Sequence, residues 1–259
     1  MLEKISLWDD DQMIARSGSG LGTFESCIPG LTYYPAKNGK PSGCVIICPG
    51  GAYMMKSFDN EGYNVAELLS HEGLASFVLD YRINPDYHPA PLKDALRAIE
   101  KVRSLSSELG YPSDKIAIMG FSAGGHLAAS AATMWSDEIS RPDAVILCYP
   151  VITMGKYTNI ASKTSLFGET ISQALCDDMS IENRVDRQSP PAFIWHTADD
   201  KDVSVENSLL FASALSSKSV PFEMHIYPHG EHGLGLAKGI AEVEKWPHLC
   251  MNWLKSLGF

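Results

Sequence analysis

Ser122 stands in the string Gly120-Phe121-Ser122-Ala123-Gly124, preceded by the apolar run Ile116 to Met119 and followed by Gly125-His-Leu-Ala-Ala-Ser130. The pattern reads as a short strand that breaks at glycine, exposes one serine and restarts as a small-residue helix. Glycines two before and two after the serine leave room for that turn. A helix beginning there also aims its unpaired N–H groups and positive end at the point where negative charge would develop. The chemistry this allows is nucleophilic acyl transfer.

A serine hydroxyl is a poor nucleophile near neutral pH. It needs a histidine to take its proton and a carboxylate to orient that histidine and stabilise its charged form. Both lie downstream. His232 is the favoured base because it sits in a glycine-flanked loop, His229-Gly-Glu-His-Gly233, after the last strand-like run, with His229 as competitor. Three aspartates, Asp199, Asp200 and Asp202, crowd the loop that would carry the acid, and residue type alone leaves the choice among them open. His126, on the helix after Ser122, reads as structural. No cofactor and no metal is expected, because backbone donors would hold the oxyanion and the histidine-rich segment 225–232 is taken up by a strand and the base loop.

The elements that must position these groups alternate along the chain. A strand at Leu31 to Tyr34 precedes Cys44-Val-Ile-Ile-Cys48, an apolar run with the character of a strand buried on both faces. It ends in Pro49-Gly50-Gly51-Ala52-Tyr53, where the glycines let the backbone come close to a ligand or simply make a turn. Helical spacing follows over Glu61 to His71, a strand over Ala75 to Leu79, and a long helix opened by Pro89 and Pro91 with Leu92, Ala95, Leu96, Ile99, Val102 and Leu105 on one stripe. Beyond the serine, strands are expected at 144–149, 192–195 and 222–227, with a helix over Val205 to Ser216. Residues 151–190 read as a polar, irregular, cap-like insertion over the site. Its Leu166, Phe167 and Met179 suit anchoring to the core better than lining a pocket.

The 259 residues, 45% of them hydrophobic, can bury one large core, so a single domain is expected. A formal charge of −10 argues against nucleic acid or an anionic membrane as partner. The start of the chain does not resemble a secretion signal, and no run approaches the roughly 18 apolar residues of a membrane span. A soluble, cytoplasmic protein is expected. The six cysteines, Cys27, Cys44, Cys48, Cys148, Cys176 and Cys250, contain no C-x-x-C pair and read as reduced and structural. Ser17-Gly-Ser-Gly-Leu-Gly22 lacks the lysine ending and preceding strand of a phosphate loop and reads as a connector.

Taken together, the motifs at 49–53, Asp80-Tyr-Arg82 with Pro89-Ala-Pro-Leu-Lys-Asp94, Gly120 to Ala128, His196-Thr-Ala-Asp-Asp200 and His229 to Gly233 resemble the esterase/lipase branch of the α/β-hydrolases. Within it the chain is most similar to small bacterial acetyl xylan or feruloyl esterase-like enzymes. The resemblance runs from about residue 30 to the end. It implies a mostly parallel, doubly wound sheet flanked by helices, and metal-free hydrolysis of small carboxylic esters, acetylated oligosaccharides among them. The spacing His196-x-x-x-Asp200-x-x-Val203 resembles the family's acid loop and points to Asp200, with Asp202 second and Asp199 third. The resemblance also places an oxyanion hole at the N–H groups of Gly51, Ala52 and Ala123, although Pro49 and Ala52 depart from the family's H-G-G-G string. A prolyl oligopeptidase-like peptidase shares the triad order, and a non-catalytic binding or sensor module shares the fold. Acyl preference, alcohol preference and any homo-oligomer stay open.

Overall fold

Five buried residues, Cys44–Cys48, make the central strand β3, and burial on both faces is what their unbroken apolar run requires. The computed structural model describes residues 4–8 and 28–259. The acidic run 9–11, the glycine-rich stretch 17–22 and Cys27 lie outside the described residues.

The other strands are β1 (Lys4–Ser6), β2 (Gly30–Tyr34), β4 (Ala75–Asp80), β5 (Ile116–Phe121), β6 (Ala144–Cys148), β7 (Ala192–Thr197) and β8 (Phe222–Tyr227). They form one sheet in the order β1-β2-β4-β3-β5-β6-β7-β8. The pairings of β1 with β2 and of β2 with β4 are antiparallel, and every other pairing is parallel. The helices are α1 (Asn64–His71), α2 (Ala90–Leu109), α3 (Ala123–Thr133), α4 (Ile160–Phe167), α5 (Gln173–Asp178), α6 (Glu206–Ser217) and α7 (Trp246–Ser256). One face of the sheet packs against Ile99 and Val102 of α2, Leu127 of α3 and Phe211 of α6. The opposite face packs against Val65 and Leu69 of α1 and Trp246 and Leu254 of α7. Helices on both faces of a largely parallel sheet make this a doubly wound α/β fold, as the resemblance implies.

The structure departs from the sequence expectation in three places. The helix expected from Glu61 begins as a π-helical turn, Phe58–Tyr63, and becomes α1 only at Asn64. The insertion 151–190 is not irregular throughout. It carries α4 and α5, whose first turns are capped by Asn159 Oδ1 on the Ser162 N–H and by Ser172 Oγ on the Leu175 N–H. Helix α7 lies in a stretch to which the sequence reading assigned no element. Leu166 and Met179 are buried in the core, as anchoring residues should be. Among the described residues no helix is long and apolar enough to cross a membrane.

Candidate active site

The turn between β5 and α3 holds Ser122 at φ 53° and ψ −120°, a region L-residues rarely occupy. Such a conformation costs on the order of 1–3 kcal/mol and persists only where the surroundings enforce it. Here the Ser122 N–H bonds to Cys148 O, and Ser122 O accepts from Gly125 and Val151. The flanking glycines are obligatory. A Cβ on Gly120 would lie 2.0 Å from Gly124 O, and one on Gly124 would lie 2.1 Å from Cys48 O.

His232 Nε2 is 2.7 Å from Ser122 Oγ, and His232 Nδ1 is 2.7 Å from Asp200 Oδ2. The aspartate therefore fixes the tautomer: Nδ1–H donates to Asp200, leaving Nε2 to accept the serine proton. The ring also rests edge-on against Tyr149, at a centroid distance of 4.9 Å. Asp200 has a fully buried side chain, and its Oδ1 accepts the N–H groups of Asp202 and Val203 at 2.9 and 3.0 Å. Burial alone would raise its pKa. Hydrogen bonds from His196, His232 and the Val203 N–H outweigh that and hold the carboxyl well below its usual range, so Asp200 stays an anion.

Buried His196 steadies this loop, with Nδ1 2.8 Å from Ser208 Oγ and Nε2 2.9 Å from Val203 O and 3.3 Å from Asp200 Oδ2. The remaining candidates fall elsewhere. Asp199 pairs with exposed His229 and accepts the Gly230 N–H, tying the acid and base loops together at the surface. Asp202 sits on the wall of the cleft.

That cleft, about 370 Å³, is open to solvent and lined by Ser122 and His232, by Gly51, Ala52, Met54 and Met55 of the turn after β3, and by Asn159, Ala161 and Ser162 of the insertion. The turn is strained as well, with Gly51 at φ 130°, Ala52 at 54° and Tyr53 at 56°. Tyr53 closes it from below, its hydroxyl 3.0 Å from His126 Nδ1, while His126 Nε2 is 3.0 Å from Met179 O. His126 thus joins the turn, α3 and the insertion, in keeping with its structural reading. Burial pushes its pKa down to about 4, so the ring is neutral. Ala123, the first residue of α3, places its backbone N–H directly after the serine.

The BD-FAE family model matches residues 32–215. The chain belongs to that family, within the esterase branch of the α/β-hydrolases. The chain is 36% identical over 246 residues to endo-1,4-beta-xylanase B of Butyrivibrio fibrisolvens, covering 90% of this chain. It is 33% identical over 225 residues to an acetylxylan esterase of Xylanibacter ruminicola, covering 84% of this chain. The chain spans only 38% and 46% of those two proteins' own lengths. The crystal structure of an acetyl ester-xyloside bifunctional hydrolase from Caldicellulosiruptor lactoaceticus matches with a TM-score of 0.92 and 41% identity, covering 99% of this chain and 97% of that one.

Several residues of this site carry no motif in the sequence. Glu61 enters the sequence analysis only as the start of a helix, yet it lines the cleft and is buried. Tyr149 and Asn159 carried no motif. The one available signal was an acidic residue next to Gly62 and Tyr63 so soon after the glycine turn.

Proposed function

We propose that the protein is a serine carboxylic ester hydrolase acting on acetyl esters of xylose-type carbohydrates. The observation that carries the reading is the unbroken chain from Ser122 Oγ through His232 to Asp200, 2.7 Å at each step. Ser122 Oγ attacks the ester carbonyl as its proton passes to His232 Nε2, and Asp200 stabilises the imidazolium. The tetrahedral oxyanion accepts from the N–H groups of Gly51, Ala52 and Ala123. Collapse expels the sugar alcohol, which takes the proton from His232. Water then attacks the acyl-enzyme, giving one proton to His232 that returns to Ser122 Oγ as the carboxylic acid leaves.

The similarity to an acetylxylan esterase and to an acetyl ester-xyloside bifunctional hydrolase supports the acyl and alcohol classes, and the polar Asn159 and Asp202 beside Met54 and Met55 suit a sugar ester at the cleft wall. Ser122, Asp200, His232 and the Gly51 turn all follow strands of one sheet, which supports a single hydrolase domain. The buried free thiols Cys44, Cys48, Cys148, Cys176 and Cys250 are compatible with a cytoplasmic setting.

The test measures hydrolysis of p-nitrophenyl acetate, acetate release from acetylated xylo-oligosaccharides and cleavage of a proline-containing peptide amide. Turnover of both esters, lost by about 10⁴-fold or more in folded Ser122→Ala, is expected. Near-normal turnover in that variant, or cleavage of the amide alone, overturns the proposal.

A further inference from the structure

Glu61 is 3% exposed, and both of its carboxylate oxygens are engaged. Oε2 accepts the Gly50 N–H at 2.8 Å, and Oε1 accepts the Tyr149 hydroxyl at 2.7 Å. The Tyr149 hydroxyl in turn accepts the Gly235 N–H at 2.9 Å. These hydrogen-bond partners are neutral. A carboxylate held from water by neutral donors is costly, typically by several kcal/mol. Burial accordingly pushes the Glu61 carboxyl above its ordinary range, against the pull of Tyr149, Gly50 and His232.

The three segments so joined all carry the site. Gly50 opens the turn that bears Gly51 and Ala52, Tyr149 packs its ring on His232, and Gly235 lies three residues beyond His232. The packing at the serine is equally direct, since a Cβ on Gly50 would lie 2.7 Å from Glu61 Oε2 and 2.9 Å from Ser122 Cβ. The local backbone is built for this. Glu61 sits in the π-helical turn Phe58–Tyr63, whose extra residue per turn swings it inward, and such turns recur at functional sites. From the same turn Asn60 Nδ2 donates to Gly233 O at 2.7 Å, directly after His232.

Building on the ester-hydrolase reading, we infer that Glu61 is a positioning residue that sets the oxyanion turn and the base loop in register with Ser122. Through Gly50 it places the first donors of the oxyanion hole. Through Tyr149 and Gly235 it holds the loop that presents His232. Glu61 touches neither the reacting carbonyl nor the transferred proton. Its loss is therefore read in the chemical step and not in substrate affinity.

The test measures kcat and KM separately on p-nitrophenyl acetate for the wild-type protein, Ser122→Ala, Glu61→Gln, Tyr149→Phe and the Glu61→Gln/Tyr149→Phe double variant, with melting curves for each. Displacing catalytic groups by an ångström costs about 10²-fold, so Glu61→Gln should lose about 10²-fold in kcat with KM within about twofold. Tyr149→Phe keeps the ring against His232 but breaks the link between Glu61 and Gly235. It should lower kcat in the same sense, and the double variant should be no worse than Glu61→Gln. A kcat within about threefold of wild type in Glu61→Gln, a change confined to KM, or losses in the double variant that multiply would each overturn the role. If Glu61→Gln does not fold, the kcat and KM of Tyr149→Phe decide. Retained turnover in Ser122→Ala would instead sink the underlying ester-hydrolase reading, so the two failures are distinct.

Discussion

His229 Nδ1 lies 2.9 Å from Asp199 Oδ2 at the protein surface, beside the 2.7 Å contact between His232 and the buried carboxylate of Asp200. Two histidine–aspartate pairs therefore join the same two loops, one wet and one dry. Water screens the outer pair, whereas Asp200 is held ionised by its donors and faces the ring that accepts a proton in the proposed mechanism.

Asp200→Asn should accordingly lower kcat by about 10² to 10⁴-fold, since it removes the charge behind the imidazolium and the control over its tautomer. Asp199→Asn should stay within about fivefold of wild type, the scale on which an exposed pair acts. Asp202→Asn should fall nearer Asp199 than Asp200, because Asp202 meets Asp200 through its backbone N–H. Steady-state kinetics on the three variants checks the ranking, and a deeper loss at Asp202 or Asp199 than at Asp200 would contradict it.

The difference between Asp199 and Asp200 was legible only through the family spacing that points to Asp200, the residue that meets His232, and not from residue type. Ser122 was legible because its turn is local: the glycines that permit it sit two residues away on each side. The central strands β3, β5, β6 and β7 were legible because parallel strands buried on both faces must be largely apolar. Adjacent aspartates, by contrast, point to different sides of one loop, and only the path of the distant base loop decides which meets His232. Glu61 was illegible for the same reason. Its partner Tyr149 is 88 residues away, and its inward aim depends on a π-helical turn with no sequence signature of its own. The helix α7 stripe of Trp246, Cys250, Trp253 and Leu254 is short and follows the glycine-rich loop 230–239, so it was masked by its surroundings.

Gly124→Ala tests the close approach at the elbow. The added methyl group would sit 2.1 Å from Cys48 O and 2.6 Å from Pro49 O, both backbone atoms that cannot swing aside. Overpacking typically costs about 1–3 kcal/mol, and a backbone clash should reach at least the upper end. The variant should melt well below wild type and lose activity per folded molecule. A wild-type melting temperature with full turnover would show that α3 does not lie against β3 as described.

Asp94→Ala tests the anchor of the Asp80-Tyr81-Arg82 segment. Asp94 is fully buried and accepts from Arg82 Nε at 2.6 Å, from the Arg82 N–H at 2.9 Å and from Trp8 Nε1 at 2.8 Å. Removing the carboxylate leaves the buried Arg82 guanidinium without its counter-charge, at a cost of about 3–5 kcal/mol. Urea unfolding should show that loss, and a change below about 1 kcal/mol would mean the pair is not dry.

His126 should make the fold acid-sensitive. Its ordinary pKa is 6.5, and burial lowers it to about 4 in the folded protein, with nearby His88 acting in the same direction and the Met179 carbonyl opposing. Between those two values the unfolded chain binds a proton that the folded chain refuses. The contribution of this ring is intact above pH 6.5, is lost progressively as the pH falls, and stops changing below about pH 4. A span of that size is worth about 3 kcal/mol. His126→Gln removes the titration, so its unfolding free energy should fall less steeply than that of wild type between pH 6.5 and 4. Urea titrations at several pH values across that window give both slopes, and equal slopes would mean that the ring between Tyr53 and Met179 does not stay neutral.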